Sequence, residues 1–142
     1  MLPSVAGLAN TAWVLSSLPS WQRFTRHSSS PETTQRALLA RYLAGNADTA
    51  FGRKHDFARI RSWETYAAAV EPRTYDDLTP WIERVMAGES GVLTADRIKL
   101  LEPTSGSSGS RKLIPYNSAL QGEFQRAIAA WICQIVKQDR SV

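Results

Sequence analysis

The chain has 142 residues, 43% of them hydrophobic, and 17 Lys and Arg against 13 Asp and Glu give a formal charge of +4. This length and apolar share suit one folded domain and exclude overall disorder, and the scattered positive charge, without a Lys/Arg block, does not indicate nucleic-acid binding. The single cysteine excludes a disulfide within the chain, and no Cys/His cluster has the spacing of a zinc site, so no metal site is predicted.

The first 22 residues carry no charge, which raises the question of a signal peptide or a membrane anchor. A signal peptide begins with basic residues, and a membrane span needs about 20 mostly apolar residues, whereas Pro19 and several polar side chains interrupt this stretch. Leu8, Ala12 and Leu15 recur at helical spacing, so residues 1–30 predict a short amphipathic docking helix and a loop. Docking is favoured over export, and we expect a cytoplasmic chain that does not contact a membrane.

Residues 31–90 are predicted to be a helical section. Its first helix begins at Ser30-Pro31-Glu32, where a capping residue, a proline and an acid follow one another, and it ends at Gly45-Asn46. The residues predicted to form its buried stripe are Leu38, Leu39, Tyr42 and Leu43.

Two more helices are predicted in this section. Ser62 caps a short helix that runs to Val70, and a longer helix begins near Asp76-Asp77 and stops at Gly88. The apolar positions of the longer helix are Leu78, Trp81, Ile82 and Val85.

Residues 91–142 change in character, because β-prone runs replace the helical pattern. The three runs are Gly91–Thr94, Ile98–Leu101 and Lys112–Tyr116. A Gly/Ser-rich loop separates the last two, and Asn117 then caps a final helix that extends to about Lys137. The predicted fold class is therefore α+β: amino-terminal helices, then a short strand–loop–strand unit and a terminal helix.

The final helix is apolar on nearly all sides. Its bulky residues at helical spacing are Leu120, Phe124, Ile128, Trp131 and Ile135, and the opposite side carries Gly122, Ala129, Ala130 and Cys133. Because an all-round apolar helix is usually buried on both sides, we expect either that the early helices enclose it or that the protein continues beyond residue 142. Continuation is favoured.

The Gly/Ser-rich loop is the segment with a plausible chemical role. Its glycines allow positive φ and a close backbone approach, so successive N–H groups can point at one anion. Hydroxyl donors come from Thr104, Ser105, Ser107 and Ser108, and Lys112 adds a point charge at the end of the loop. The composition therefore indicates a site for the β- and γ-phosphates of ATP.

The alternative is a flexible Gly/Ser linker. The loop is short, lies between two β-prone runs and ends in two cations, which argues against a linker. It is not a Walker A loop, because only two residues separate Gly106 from Gly109, and it lacks the G-x-G-x-x-G pattern. Composition alone leaves both alternatives open.

The loop sequence T-S-G-S-S-G-S-R-K (Thr104 to Lys112) resembles the phosphate loop of adenylate-forming enzymes, the superfamily of firefly luciferase and acyl-CoA synthetases. Asn46–Phe57 resembles an N-x-x-T-x-(Y/F)-G-x-x-H-x-F segment, and further similar segments follow in order. They are Tyr75-Asp76-Asp77-Leu78, Ile82-Glu83-Arg84, Gly88-Glu89, Val92-Leu93-Thr94 and Lys112–Tyr116. From about Gln35 to Tyr116, the chain is similar to the amino-terminal part of the auxin-responsive acyl-acid amido synthetase family, in its bacterial branch.

This resemblance implies an ATP-dependent ligase in which a carboxylate attacks the α-phosphate of Mg-ATP, giving an acyl-adenylate and pyrophosphate, before an amine takes the acyl group. Arg111 stands where many superfamily members have proline, so the resemblance assigns it no role. The catalytic residues are not identified. The residues that match the loop, and would therefore bind the nucleotide, are Thr104, Ser105, Gly106, Ser107, Ser108, Gly109 and Lys112.

Family members are much longer, and the parts that hold adenine, ribose and the acyl substrate lie mostly downstream of this loop. We therefore expect residues 1–142 to be the amino-terminal portion of one large α/β adenylating domain, inactive alone in adenylation. The acid and amine substrates cannot be read from it. Two alternatives remain: an acyl-CoA ligase, with a thiol in place of the amine, and a non-catalytic α+β module that binds an anion or a partner protein.

Other reactive residue types have simpler interpretations. His55 is interpreted as a packing or hydrogen-bonding residue because no catalytic partner is identifiable, and Cys133 as a buried structural thiol. Asp76-Asp77 is interpreted as a helix cap and not a metal pair. The five tryptophans are predicted to lie in the core.

Overall fold

The computed structural model describes residues 5–104 and 112–138, which are mostly helical and include a two-stranded antiparallel sheet. The chain divides into two compact units, one formed by its amino-terminal residues up to Thr34 together with those from Gln121 onward, and the other by Gln35–Leu120. In chain order the elements are α1 (Val5–Ser28), α2 (Pro31–Asn46), α3 (Ala50–Lys54), a 3-10 turn (Phe57–Arg59), α4 (Trp63–Ala69), α5 (Tyr75–Met86), β1 (Ile98–Pro103), β2 (Leu113–Asn117) and α6 (Ser118–Gln138).

Helix α1 is longer than its sequence pattern predicts, with 24 residues instead of a short helix followed by a loop. The polar residues do not end it, because their hydroxyls donate to carbonyls one turn earlier: Ser17 Oγ to Trp13 O at 2.9 Å and Thr25 Oγ1 to Trp21 O at 3.0 Å. Among the described residues, no helix is both long and apolar enough to cross a membrane.

Helices α1 and α6 contact each other through small and polar groups. Trp21 Nε1 donates to Gln134 Oε1 at 3.0 Å, and the fully buried Cys133 thiol donates to the carbonyl oxygen of Val14 at 3.5 Å. Lys137 Nζ lies 3.3 Å from the centroid of the Trp21 ring. The interpretation of Cys133 as a buried thiol is confirmed.

The bulky side of α6 is largely exposed, so α1 does not enclose this helix, which was the less favoured of the two alternatives. Phe124 is 61% exposed and Trp131 63%, whereas the buried residues of this helix are Ala130 and Cys133. The small residues allow a close approach to α1. The prediction of five core tryptophans is also wrong, because Trp13, Trp63 and Trp131 are each more than half exposed.

Helix α2 begins and ends where its signals predict, with Pro31 at its first position and Asn46 at its last. Leu43 is buried, and Leu38 and Leu39 are half-buried. Tyr42, predicted to belong to the buried stripe, is 45% exposed. Its ring instead lies beside the Arg41 guanidinium, at 5.1 Å.

The predicted strand Gly91–Thr94 is wrong, because this segment bends and pairs with a helix end. Gly91 adopts a positive φ of 65°, which interrupts extended backbone. The carbonyl oxygens of Gly91 and Val92 accept from Ala50 N and Phe51 N, at 2.7 and 3.0 Å. These two N–H groups belong to the first turn of α3, where no acceptor exists within the helix itself. The apolar run therefore reflects the burial of Val92 beside a helix end and not strand pairing.

Helices α4 and α5 each begin with a capping box, as their start signals suggest. The Ser62 side chain accepts from Thr65 N, and the Thr74 side chain accepts from Asp77 N. The Asp77 carboxylate in turn accepts from Thr74 N at 2.7 Å. The interpretation of this acid as a cap is confirmed.

Candidate functional site

Strands β1 and β2 bring the two ends of the predicted phosphate loop together. They pair antiparallel, with Pro103 opposite Leu113, and Thr104 N donates to Lys112 O at 2.9 Å. The predicted strand–loop–strand unit is therefore confirmed at both of its strands. A loop that starts at Thr104 returns to Lys112 directly beside its starting point.

The interior of the loop lies outside the described residues. This concerns Arg111 and five of the residues predicted to bind phosphate: Ser105, Gly106, Ser107, Ser108 and Gly109. Phosphate binding by these residues stays a prediction, and the structure places only Thr104 and Lys112 of the predicted set.

Lys112 is exposed at the end of this hairpin, and it forms no ion pair with a described residue. Its Nζ lies 5.9 Å from the centroid of the Tyr75 ring, within the range of a cation–π contact. The ammonium group is therefore held near the loop ends without being neutralised by a described carboxylate, as a phosphate ligand requires.

Tyr75, the first residue of α5, contacts the strand that leaves the loop. Leu113 N donates to its phenol oxygen at 2.7 Å, and the phenol oxygen lies 3.4 Å from Leu113 O, to which it donates. In the sequence, Tyr75 stands out only as part of a family-like segment. No local signal indicates a contact between residues 38 positions apart.

The start of α5, which carries Tyr75, is fixed by its cap. The pKa of the Asp77 carboxyl lies below its usual value, mainly because the Thr74 hydroxyl donates a hydrogen bond to it. The Thr74 N–H, which also donates to this carboxyl, lowers the pKa further. The cap is charged at neutral pH, and the capping box satisfies the N–H groups of Thr74 and Asp77.

A second polar cluster fixes the segment before β1. Asn46 Oδ1 accepts from Ala95 N at 3.0 Å, and Asn117 Nδ2 donates to Thr94 Oγ1 at 3.3 Å. Asn117 Oδ1 also accepts from Leu120 N at 2.8 Å, which confirms its predicted role as the cap of α6. A cavity of about 610 Å³ borders this segment, but its lining ends at Leu101 and includes neither end of the phosphate loop.

His55 packs and forms a hydrogen bond inside the protein, and no cluster suited to a metal ion lies among the described residues. The His55 ring is buried, its Nδ1 lies 2.9 Å from Ala69 O, and its centroid is 4.4 Å from that of Phe51. Its Nε2 is buried and has no hydrogen-bond partner among the described residues. A carbonyl only accepts, so Nδ1 carries the proton. Residues 5–104 and 112–138 hold no group of three or more His, Cys, Asp or Glu suited to a metal ion.

The chain is similar to proteins of one family. The sequence model of the GH3 family N-terminal domain matches residues 20–141. A protein of Arabidopsis thaliana named probable indole-3-acetic acid-amido synthetase GH3.1 is 38% identical over 86 residues, which are 59% of this chain and 15% of that protein. Indole-3-acetic acid-amido synthetase GH3.5 of the same plant is 34% identical over 90 residues, 62% of this chain and 15% of that protein.

A relative from Oryza sativa subsp. japonica, named jasmonoyl–L-amino acid synthetase GH3.3, is 33% identical over 101 residues, 70% of this chain and 22% of that protein. The matched part of the chain thus spans between 15% and 22% of the length of these three relatives. Since the model of the family's N-terminal domain matches residues 20–141, more than three quarters of this chain, the chain belongs to the GH3 family.

Proposed function

We propose that the chain is the amino-terminal part of an ATP-dependent ligase that activates a carboxylic acid as an acyl-adenylate and transfers it to an amine. The closure of the loop between Thr104 and Lys112, beside an exposed cation, supports a phosphate site. The named relatives join indole-3-acetic acid or a jasmonoyl group to an amine or amino acid, which favours an amide product over a thioester. The loop motif supports membership of the adenylate-forming superfamily, and the family-like segments between Asn46 and Tyr116 support the bacterial branch of the family.

The proposed reaction needs charge neutralisation at the phosphates. When the acid's carboxylate attacks the α-phosphate, the bond to pyrophosphate breaks and negative charge builds on the leaving group. Lys112 and the N–H and hydroxyl donors of the loop would hold that end, a preorganised electrostatic stabilisation. Mg²⁺ would enter with the nucleotide, because it prefers phosphate oxygens with few protein ligands.

A cytoplasmic location is part of the same proposal, because the reaction consumes ATP.

Binding of pyrophosphate and Mg-ATP to the chain, measured by titration calorimetry, tests this proposal. We expect saturable binding that Lys112→Ala weakens about tenfold or more, the effect of losing one charge-assisted contact. Lys99→Ala is the matched control, because it removes the same charge from neighbouring strand β1. Its affinity should stay within about twofold of the wild-type value. Equal losses in both variants, or no binding by the wild-type chain, would contradict the proposal.

Catalysis is a separate question. Because the chain matches less than a quarter of its relatives' length, we expect no acid-dependent exchange between pyrophosphate and ATP with the 142-residue chain. Turnover in that assay would show that the chain already contains a complete adenylation site.

A further inference from the structure

We infer that Tyr75 is a positioning residue for the phosphate loop: its phenol group fixes the strand that leaves the loop and thereby the backbone next to Lys112. The inference rests on the proposed function for its consequence, but its geometry is independent. It begins from the hydrogen bond between Leu113 N and the phenol oxygen, at 2.7 Å.

The pairing pattern explains why Leu113 needs this partner. In an antiparallel pair, residues alternate between those whose backbone groups face the partner strand and those whose groups face away. Lys112 faces β1, because its carbonyl accepts from Thr104 N. The N–H and C=O of the next residue, Leu113, therefore face away from β1, towards the open edge of β2.

The Tyr75 hydroxyl takes the place that a further strand would have at this edge. It accepts from the Leu113 N–H and donates towards the Leu113 carbonyl, at 3.4 Å. One hydroxyl thus satisfies both unpaired backbone groups of a half-buried residue. The open edge of β2 next to the loop is therefore hydrogen-bonded to the first residue of α5.

The same side chain also faces the cation. The Lys112 ammonium lies 5.9 Å from the centroid of the Tyr75 ring. The helix start that carries this ring is fixed, because Tyr75 follows the capping residue Thr74, whose hydroxyl and N–H both bond the Asp77 carboxylate at 2.7 Å. Tyr75 therefore links a fixed helix start to both the backbone and the side chain at the end of the loop.

The test separates the hydroxyl from the ring. Tyr75→Phe keeps the ring and removes the hydroxyl, and Tyr66→Phe is its matched control. Tyr66 is also half-buried, and its ring packs on Phe57 and Trp63 at 6.5 and 5.8 Å. Amide hydrogen exchange at Leu113 and calorimetric binding of pyrophosphate are measured in both variants and the wild type, after circular dichroism has shown that each is folded.

We expect Tyr75→Phe to speed exchange of the Leu113 amide about tenfold and to weaken pyrophosphate binding about fivefold to tenfold, as for the loss of one hydrogen bond. Tyr66→Phe should change neither. Unchanged Leu113 exchange in Tyr75→Phe overturns the inference, and so does faster exchange with unchanged pyrophosphate affinity. A wild-type chain that binds no pyrophosphate overturns the proposed function instead, while Leu113 exchange still decides whether Tyr75 holds the strand.

Discussion

The unit Gln35–Leu120 and the unit that contains α1 and most of α6 are built in different ways. In the first, polar side chains are buried and fix the backbone: Thr49 is 1% exposed and Asn117 9%. In the second, small side chains are buried and bulky ones face outward, with Trp13 53% and Trp131 63% exposed. In the first unit, buried hydrogen bonds thus fix particular backbone positions, whereas in the second the small residues let the two helices approach closely.

The largest effect is expected at Gly52, in the hydrogen-bonded unit. A Cβ there would overlap the carbonyl oxygen of Asn46 and lie 2.9 Å from that of Ala47, and neither backbone atom can move easily. Gly52→Ala should lower the free energy of unfolding by about 3 kcal/mol or more, measured by urea denaturation.

Gly45→Ala is the matched control for this substitution. Nothing lies within 4 Å of the added methyl group, and the position is helical. It should raise the free energy of unfolding by up to about 1 kcal/mol. Similar changes in the free energy of unfolding for Gly52→Ala and Gly45→Ala would mean that the close approach of the Asn46 and Ala47 carbonyls to Gly52 does not limit stability.

Thr49→Val should have the next largest effect. The Thr49 hydroxyl accepts from Gly52 N at 2.9 Å and donates to Asn46 O at 2.8 Å, and valine keeps its shape without these bonds. We expect a loss of about 2 kcal/mol in urea denaturation, because the buried N–H of Gly52 loses its acceptor. Thr79→Val, whose hydroxyl bonds only back to Tyr75 O, should cost less than about 0.5 kcal/mol. A Thr49 loss no larger than the Thr79 loss would remove the distinction drawn for this unit.

In the helix pair, size should matter more than polarity. Cys133→Leu adds bulk at a fully buried position and should cost about 1 to 3 kcal/mol in the same measurement. Trp131→Gln changes an exposed side chain and should cost less than about 0.5 kcal/mol. The reverse order would mean that the bulky face of α6 is covered in solution.

The smallest effect concerns the charged cap of α5. The folded-state pKa of Asp77 lies below its unfolded value of about 3.9, because Thr74 bonds the charged form, so its stabilisation is present above that value. It is lost as the pH falls through the folded pKa.

Denaturation of Asp77→Ala at pH 7 and pH 2.5 measures this contribution. The variant should be less stable than the wild type at pH 7, and the gap should shrink at the lower pH. Asp76→Ala removes a neighbouring acid outside the capping box and should show a smaller gap. A gap for Asp77→Ala that persists in acid would contradict the assigned cause.

Local signals predicted local structure well. The starts of α2, α4 and α5 and the cap at Asn117 depend on residues a few positions apart, and the two strands around the loop followed from their β-prone runs. The strand predicted at Gly91–Thr94 was wrong, because a bend that is buried against a helix end also gives an apolar run in the sequence. The side of α6 that is buried depends on α1, a partner distant in sequence. For the same reason Tyr75 was missed, since its contact with Leu113 spans 38 positions.

The central claim is that a phosphate group binds between Thr104 and Lys112, and an amide NMR titration of the chain with pyrophosphate tests it most directly. The account predicts saturable shifts at Thr104, Lys112 and Leu113, and weaker ones in the Lys112→Ala variant. Absent shifts at these amides, or shifts confined to residues 88–101 around the neighbouring cavity, would contradict it.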